Sequence, residues 1–200
     1  MREIRIISRE FYERQDVVEV AKDLIGKVLV TEWEGVRTSG IIVETEAYCG
    51  ANDKACHAHL QKRTKRTEVI FGPPGHAYVY LVYGIHNLFN IVTNVEGKAD
   101  AILIRAIHPQ EGIQTMQLRR GIDQEDQRIS NGPGLVTQAL GIDRTHYGLD
   151  LTSGPLRIED HGFQHQVVSS TRIGVDYAGE DAQLPWRFLD PNDPNISRKA

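Results

Sequence analysis

Apolar and polar positions alternate along much of the chain, and this pattern predicts a structure rich in β-strands. Helical spacing of apolar residues occurs first, over residues 10–24, and Gly26 follows as a helix stop. Glycine and proline punctuate the later segments, most firmly at residues 71–75, where a turn is predicted. Alternation or short continuous apolar runs predict strands over residues 27–34, 37–46, 76–83, 87–93 and 97–106.

The second half of the chain predicts two helices and several shorter strands. The helices cover residues 111–120, ended by a glycine, and 135–140, which follow a Gly-Pro-Gly turn. Strand candidates cover 149–151, 156–158, 167–168, 171–178 and 186–189, with a charged loop at 123–128 and a loose tail at 191–200. No repeat or linker divides the sequence, so a single domain over residues 1–200 is predicted, with an ordered core at about 10–190. Its fold class is α+β, a curved, mostly antiparallel β-sheet with surrounding helices.

Composition places the chain among ordinary globular proteins. Of its 200 residues, 40% are hydrophobic and 25% are charged, and no apolar run is long enough to span a bilayer. The N-terminal residues mix charges throughout, so no signal peptide and no membrane partner are expected, and a cytoplasmic location is favoured. Two cysteines do not imply a disulfide framework in a chain of this size.

Net charge is weak evidence against a nucleic-acid partner. The formal charge is −4, whereas proteins that bind duplexes usually carry a basic surplus. The charge is uneven, however, because Lys62, Arg63, Lys65 and Arg66 form one basic run. Such a run is usually a solvated loop, and contact with phosphates is the alternative interpretation.

Residues 40–90 hold the densest set of chemically capable side chains, beginning with Glu44 and Glu46. The two carboxylates share a strand face by alternation and follow the apolar run at 41–43. Exposed, solvated acidic pairs are the commoner arrangement in proteins. A carboxylate that leaves a buried strand is instead desolvated and suits a general base, so both interpretations stand.

Tyrosines are the second feature of this stretch. Tyr78 and Tyr80 share one face of the predicted strand, where aromatic residues usually belong to a core or a cross-strand pair. Tyr83 differs because it precedes a glycine and Ile85 at the tip of a hairpin. An exposed tip of this kind is typical of a wedge that enters between base steps.

Cysteines and histidines in the same stretch raise the question of a metal site. Cys49, Cys56, His57 and His59 lack the paired CxxC spacing of structural zinc, and no second ligand pair follows them. No metal site is therefore predicted. A pocket residue or a satisfied core histidine is the expected role of His57.

Four motifs resemble those of the alkyladenine (3-methyladenine) DNA glycosylase family. They are VETEAY at 43–48, FGPPGHAYVYLVYGIHNLFNIV at 71–92, LIRAIHP at 103–109 and NGPGLVTQALGI at 131–142. The resemblance is colinear over nearly the whole chain, and the single α+β domain of that family agrees with the fold predicted above. It implies a monofunctional enzyme without a cofactor that flips and hydrolytically excises alkylated or deaminated purines and leaves an abasic site. The lesion class is 3-methyladenine, hypoxanthine and ethenoadenine.

The same resemblance implies roles for individual residues. Glu46 matches the general base that activates the hydrolytic water, and Arg105 matches an arginine that helps to hold that water. Ile173 matches a position whose backbone carbonyl completes the water site. The extruded base would be stacked on and contacted by Tyr48, His57 and Tyr80, while Asn90 would crowd the exocyclic amino group of guanine.

Contacts with duplex DNA complete what the resemblance implies. Tyr83 matches the tyrosine that fills the gap left by the flipped nucleotide; Ile85 lies beside it, and His86 replaces an aromatic residue of the vertebrate pattern. The basic run would contact phosphates. The N-terminal extension of vertebrate members is absent, which is typical of a bacterial, nucleoid-associated member, and a monomer acting on double-stranded DNA with damaged purines is expected. A zinc-dependent hydrolase and a non-catalytic nucleic-acid-binding module are the rival interpretations.

Overall fold

A curved antiparallel sheet organises the part of the chain that the computed structural model describes, residues 4–122 and 128–200. In these ranges the strands are β1 (Arg5–Ile6), β2 (Val28–Trp33), β3 (Val36–Tyr48), β4 (Ala77–Val82), β5 (His86–Thr93), β6 (Asp100–Glu111), β7 (Leu156–Asp160), β8 (Val168–Ser170) and β9 (Arg187–Leu189). The sheet has the order β1-β7-β2-β3-β6-β5-β4, and β9 pairs with both β3 and β8. These pairings are antiparallel, which confirms the predicted α+β class.

Helices surround this sheet. They are α1 (Arg9–Tyr12), α2 (Val17–Asp23), α3 (Ile113–Arg120) and α4 (Pro133–Leu140), with 3₁₀ helices at His59–Gln61, Glu68–Phe71, Arg144–His146 and Asp176–Gln183. α2 packs on β3, α4 packs on β5 and β6, and α3 packs on α4. Within the described ranges, no helix is long and apolar enough to cross a membrane. The charged loop predicted at 123–128 lies outside those ranges, apart from Arg128.

β3 is the longest strand and carries the acidic residues of the candidate site. Its first half pairs with β2, residues 44–46 pair with β9, and most of its length pairs with β6. Register shifts on either side of Glu44 mark a bulge against β6. Residues 42–47 are all buried, so the two glutamates of this strand lie inside the protein.

The single helix predicted over residues 10–24 is wrong, because this segment forms two helices. α1 ends at Tyr12 and α2 begins at Val17. Between them, the Asp16 carboxylate accepts hydrogen bonds from two backbone N–H groups in the first turn of α2. Asp16 is therefore an N-cap that starts a new helix inside one continuous apolar pattern.

β6 is longer than predicted, and Arg105 lies in the middle of the strand rather than at its exit. The pattern predicts a strand over 97–106, but the strand continues to Glu111. Pro109 lies within it opposite Gly40, where β3 has a register shift, and a bulge tolerates a residue without a backbone donor. Arg105 consequently projects from a rigid, buried part of the sheet.

Two strand predictions in the second half are also wrong. Residues 149–151 form only an isolated bridge, between Asp150 and His76. Residues 171–178 form a loop that enters a 3₁₀ helix. Gly174 has a φ of +77°, a conformation that interrupts any extended run of its neighbours. Alternation of apolar residues therefore overstates the extent of the sheet here.

The tail at residues 191–200 packs against the sheet, contrary to the prediction of a loose end. Asn195 is buried, and the backbone N–H of Ser197 donates to the Glu44 carboxylate at 2.6 Å. Arg187 donates to two backbone carbonyl groups of the same tail. A buried carboxylate and a buried guanidinium need partners, and this segment supplies them.

Glu159 on β7 is a buried carboxylate, 4% exposed, that joins distant parts of the chain. It accepts hydrogen bonds from Arg37, Arg157 and His161 at 3.0, 2.8 and 2.9 Å. Burial opposes its ionisation, but these hydrogen bonds outweigh burial and lower the pKa of Glu159 to about 2. The ionised carboxylate therefore stabilises the folded protein above the unfolded-state pKa of about 4.3. This contribution is lost as the pH falls from there through about 2.

Glu159→Gln is expected to lower the free energy of unfolding by about 1–3 kcal/mol at neutral pH, because three hydrogen bonds lose a charged acceptor. Urea unfolding at neutral pH and at about pH 2–3 measures this, and the difference from the parent should shrink at the lower pH. The control is Glu32→Gln, at an exposed partner of Arg157, with an expected change below about 0.5 kcal/mol. Equal losses of unfolding free energy in the two variants would contradict the stabilising role of the Glu159 carboxylate.

Candidate active site

Glu46 lies on β3 just after the bulge and is fully buried. Its Oε2 accepts hydrogen bonds from the Tyr48 hydroxyl at 2.7 Å and from Arg105 Nη1 at 3.3 Å. Its Oε1 accepts the backbone N–H of Ile173 at 2.7 Å. Because a carboxylate offers about four lone-pair positions, these contacts fix its orientation and leave Oε1 able to accept one more donor.

The Tyr48 hydroxyl acts as a donor toward Glu46 because it stays protonated. Burial raises the pKa of Tyr48 well above its usual value, and the negative charge of Glu46 raises it further. On the same ring, the Arg172 guanidinium lies 4.9 Å from the ring centre. Tyr48 thus connects the buried carboxylate to the surrounding pocket wall.

Arg105 on β6 bridges two carboxylates. Its Nε donates to Glu44 at 3.1 Å while its Nη1 donates to Glu46 at 3.3 Å. Burial disfavours the charge of Arg105, but the two carboxylates outweigh burial and raise the pKa of Arg105, so it remains a cation. Both glutamates therefore lie on one side of β3, as predicted, and they are buried rather than a solvated pair.

A cavity of about 450 Å³ opens beside these residues. Tyr48, Arg105 and Ile173, the three donors to Glu46, all line it, while Glu46 lies behind them. Further lining comes from aromatic side chains and from aliphatic side chains of β4, β5 and β6. The volume falls within the range of roughly 300–1,000 Å³ that is typical of pockets for small ligands.

Aromatic rings form one wall of this cavity. Tyr78 and Tyr80 stack with their centres 5.1 Å apart, and His57 meets Tyr80 edge-on at 4.6 Å. His57 Nδ1 and the Tyr78 hydroxyl are hydrogen-bonded at 2.9 Å. The structure therefore brings Tyr48, His57 and Tyr80 to one cavity, and Tyr78, which also lines it, orients His57 through this hydrogen bond.

His57 is a neutral ring at physiological pH. Burial lowers the pKa of His57 to about 4, and the positive charge of Arg66 adds to this effect. Arg66 itself lies 5.7 Å from the centre of the Tyr80 ring and also lines the cavity. An electron-poor ligand would therefore meet uncharged ring faces on this wall.

Asn90 is held by the sheet rather than by a loop. It lies on β5, is nearly fully buried, and lines the cavity. Its Nδ2 donates to the carbonyl oxygen of Tyr78 on the neighbouring strand at 3.2 Å. This hydrogen bond fixes the amide and presents it at a constant position in the cavity.

The β4–β5 hairpin ends in an exposed apolar tip. Tyr83 is 91% exposed and Ile85 is 72% exposed. Tyr83 has a φ of +53° and Gly84 a φ of +74°, a left-handed turn that glycine adopts without strain. Tyr83 also borders the cavity, so its ring stands at the cavity mouth. His86 begins β5 and packs on Gly134 at the start of α4, where a Cβ would come within 3.1 Å of the imidazole.

Members of the basic run occupy different positions, although all four are exposed. Arg66 lines the cavity described above. Lys65 and Arg66 also line a neighbouring cleft of about 530 Å³ together with Arg144. Arg63 forms an ion pair with an exposed carboxylate, and neither it nor Lys62 lines these two cavities.

Several residues of the site are missed by the sequence patterns. They are Arg144, Arg172, Tyr177, Arg187 and Ser197. Arg172 and Arg187 could have been found from the sequence because each is a single arginine within an apolar segment. Such an arginine is expected to be buried, and a buried arginine requires a carboxylate partner. Ser197 lies in a polar tail that carries no comparable signal.

Metal ligation is tested directly by the side-chain geometry. Residues 4–122 and 128–200 hold no cluster of three or more His, Cys, Asp or Glu side chains arranged around one ion. Burial raises the pKa of the Cys56 thiol to about 12 and also raises the pKa of Cys49. Both side chains are therefore protonated, weakly nucleophilic thiols at neutral pH.

Known proteins resemble this chain along nearly its whole length. The family model for methylpurine-DNA glycosylase (MPG) matches residues 10–194. The chain therefore belongs to the methylpurine-DNA glycosylase family. DNA glycosylases hydrolyse the N-glycosidic bond between a base and its sugar, so the protein is a hydrolase of base excision repair that acts on DNA.

Individual relatives match at high identity. A protein of Methanocella arvoryzae is 48% identical over 98% of this chain and 97% of its own length. Proteins of Alkaliphilus oremlandii and Clostridium tetani are 44% and 45% identical, each over 96% of this chain and 99% of its own length. All three are named as candidate 3-methyladenine DNA glycosylases.

Proposed function

We propose that this protein is a monofunctional DNA glycosylase that flips and hydrolytically excises alkylated or deaminated purines from double-stranded DNA, leaving an abasic site. Its substrates are lesions of the 3-methyladenine, hypoxanthine and ethenoadenine class. One observation carries the proposal: Glu46 lies directly behind an aromatic cavity, and Tyr48, Arg105 and Ile173, which donate hydrogen bonds to it, line that cavity. The names of the relatives support the choice of 3-methyladenine.

Recognition of the lesion rests on the aromatic wall. Tyr48, His57 and Tyr80 offer ring faces to a base that enters the cavity. An alkylated purine is electron-poor or cationic, and the quadrupole of an aromatic face attracts such a ring by about 1–2 kcal/mol once water is excluded. The neutral state of His57 preserves this attraction, because a charged imidazolium would repel a cationic base.

Rejection of normal guanine is assigned to Asn90. Its amide is tied to the Tyr78 carbonyl and cannot swing out of the cavity without breaking that hydrogen bond. The exocyclic amino group of guanine would meet this fixed amide, whereas adenine-derived bases carry hydrogen at the same position. Asn90 thus supplies a steric filter beside the electronic preference of the aromatic rings.

Hydrolysis is assigned to a water held between Glu46 and the sugar. The free position at Oε1 accepts a proton from this water as its oxygen bonds to the anomeric carbon. The carbon–nitrogen bond breaks at the same time, and the base leaves with the electron pair. Arg105 and the Ile173 backbone help to hold the water, while Tyr48 and Arg105 occupy Oε2. A cationic base needs no added proton, whereas a neutral lesion would receive one from a bound water, because His57 is neutral at physiological pH.

Engagement of the duplex is assigned to the hairpin tip and the basic run. Flipping a nucleotide costs a few kcal/mol of stacking, and insertion of Tyr83 into the vacated space offsets part of that cost. Ile85 and His86 lie next to Tyr83 and would contact the groove. Lys62, Arg63, Lys65 and Arg66 are exposed and would contact phosphates.

Tyr83→Ala is expected to weaken capture of the flipped nucleotide by roughly 5- to 100-fold, because one base–aromatic contact is worth about 1–3 kcal/mol. Folding should be unaffected, since the ring is 91% exposed. Fluorescence of 2-aminopurine placed beside the lesion reports flipping in stopped-flow experiments. Tyr83→Phe keeps the ring and should behave like the parent, and a flipping equilibrium that Tyr83→Ala leaves unchanged would exclude the wedge.

One assay tests the proposed activity. The protein is incubated with methylated duplex DNA, and free 3-methyladenine is measured by chromatography. Release of the free base with an abasic site left in the strand is expected. DNA binding without release would instead favour a non-catalytic module, and a borohydride-trapped covalent complex would indicate a lyase.

In this proposal the enzyme is a monomer of one domain over residues 1–200. It needs no cofactor and works on the nucleoid in the cytoplasm. Exhaustive treatment with EDTA should leave base release unchanged. Activity lost with EDTA and restored by zinc would support a zinc-dependent hydrolase.

A further inference from the structure

Glu44 is a second fully buried carboxylate, two residues before Glu46, and the chemistry above does not use it. It accepts hydrogen bonds from Arg105 Nε at 3.1 Å and from Arg187 Nη1 at 3.0 Å. The backbone N–H and the hydroxyl of Ser197 add two more, at 2.6 and 2.8 Å. Arg105, Arg187 and the Ser197 hydroxyl share Oε1, while the Ser197 backbone N–H donates to Oε2, so Ser197 contacts both oxygens of Glu44.

Arg105 donates hydrogen bonds to both Glu44 and Glu46. The other partners of Glu44 therefore determine the orientation of the Arg105 guanidinium. Its Nε faces Glu44, its Nη1 lies 3.3 Å from Glu46, and its Nη2 lies 3.4 Å from the Ser197 hydroxyl. A planar guanidinium cannot turn toward one of these partners without moving away from the others. Loss of the Ser197 donors would leave Glu44 short of partners in a buried site and would draw Arg105 toward it.

Arg187 on β9 links this cluster to the loop that carries Ile173. Its Nε donates to the Thr171 carbonyl oxygen at 3.0 Å, two residues before Ile173. Its Nη1 and Nη2 donate to the carbonyl oxygens of Arg198 and Lys199 at 2.8 and 3.3 Å. Arg187 therefore holds the tail, Glu44 and the loop of the candidate site in one buried unit.

The two negative and two positive charges buried in this unit offset each other. The buried groups are Glu44, Glu46, Arg105 and Arg187. Arg172, on the adjacent loop, already forms an ion pair with Asp53. Arg187 therefore offsets the charge of Glu44, which leaves the charge of Arg105 available to Glu46.

We propose that Ser197 and Arg187 are positioning residues of the excision reaction. By satisfying Glu44 they hold Arg105 and the Ile173 backbone against Glu46, in the arrangement that activates water. This inference rests on the proposed function, because it explains how the proposed general base is kept in place.

Ser197→Ala tests this role. The kinetic readout is single-turnover release of 3-methyladenine from duplex DNA treated with dimethyl sulfate. The rate constant is expected to fall roughly 10- to 100-fold, the factor that corresponds to losing one hydrogen bond to a charged group. Affinity for a duplex with a tetrahydrofuran abasic-site analogue, measured by fluorescence anisotropy, should stay unchanged because Ser197 does not line the cavity. Ser197→Thr keeps the hydroxyl and should restore most of the rate.

A structural readout separates this inference from the proposed function. The Nε–H resonance of Arg105 in NMR spectra reports its hydrogen bond to Glu44, and Ser197→Ala is expected to shift this resonance and to speed its hydrogen exchange. If the parent protein releases no base, the proposed function fails, yet the resonance still tests whether Ser197 holds Arg105. Deletion of Ala200 alone is the matched control, because it shortens the tail, keeps Ser197 and should alter neither readout.

Truncation after Asn195 extends the test. It removes both Ser197 donors and the carbonyl groups that hold Arg187, so the rate should fall further than in Ser197→Ala. A parent-like rate in both proteins would overturn the proposal. Equal losses of rate and duplex affinity, or an unchanged Arg105 resonance, would also overturn it.

Discussion

Replacing Glu46 with glutamine is expected to abolish detectable base release while lesion-containing DNA still binds. An amide occupies the same volume as the carboxylate but cannot accept a proton from water. Loss of a general base lowers the rate by roughly 100- to 10,000-fold. Single-turnover release of 3-methyladenine measures the chemistry, and anisotropy with a lesion duplex measures binding. Binding should persist because Glu46 lies behind the cavity wall rather than in it.

A matched variant separates this effect from a general loss of charge. Glu68→Gln makes the same chemical change at a carboxylate that is 59% exposed and paired with Arg63. It should excise at the parent rate. The glutamine at residue 46 faces Tyr48 and Arg105, two donors, so a thermal melt is needed to show that the variant is folded. Turnover retained by a folded Glu46→Gln protein would remove Glu46 from the role of base.

Arg172→Met is expected to give the largest loss of stability, about 3–5 kcal/mol, because it leaves a buried carboxylate without its partner. The side chains of Arg172 and Asp53 are both 0% exposed and are joined at 2.5 and 2.8 Å. Arg172 also donates to two backbone carbonyl groups, one of them on β3. Because Arg172 immediately precedes Ile173, excision should fall together with stability.

Urea unfolding at neutral pH measures this loss. The double variant Arg172→Met, Asp53→Asn should recover part of the stability, because no unpaired charge is then buried. Arg63→Met removes an exposed arginine from an ion pair and should change the free energy of unfolding by less than about 1 kcal/mol. A loss of similar size in Arg172→Met and Arg63→Met would contradict the structural role of the buried pair.

The central strands are readable from the sequence because each one alternates or runs apolar between turn signals. β2, β3, β4 and β5 begin and end within two residues of their predicted bounds. The break between α1 and α2 is not readable in this way, since the Asp16 cap lies inside one continuous apolar pattern. The polar composition of the tail predicts a loose end, whereas its order depends on a carboxylate far away in the sequence.

The residues of the candidate site also fall into two groups, those that the sequence indicates and those that only the structure reveals. Glu46, Tyr48, His57 and Tyr80 lie close together in one stretch of sequence, and the family resemblance, rather than residue type or spacing alone, implied that they share a pocket. Arg172, Arg187 and Ser197 reach the site across more than a hundred residues, and no local pattern encodes such pairing. The residues that hold the site together are therefore the ones that only the fold reveals.

The pairing of β3 with β9 has a consequence for the nascent chain. Glu44 and Arg187 are separated by 143 positions, so at about 5–20 residues per second β3 waits roughly 7–30 s for its partner strand. During that time its open edge, next to the apolar run at 41–43, is a template for pairing with other chains. Glu44 and Glu46 place two like charges on this edge and so act as gatekeepers against aggregation. We expect these carboxylates to oppose such pairing until β9 covers this edge.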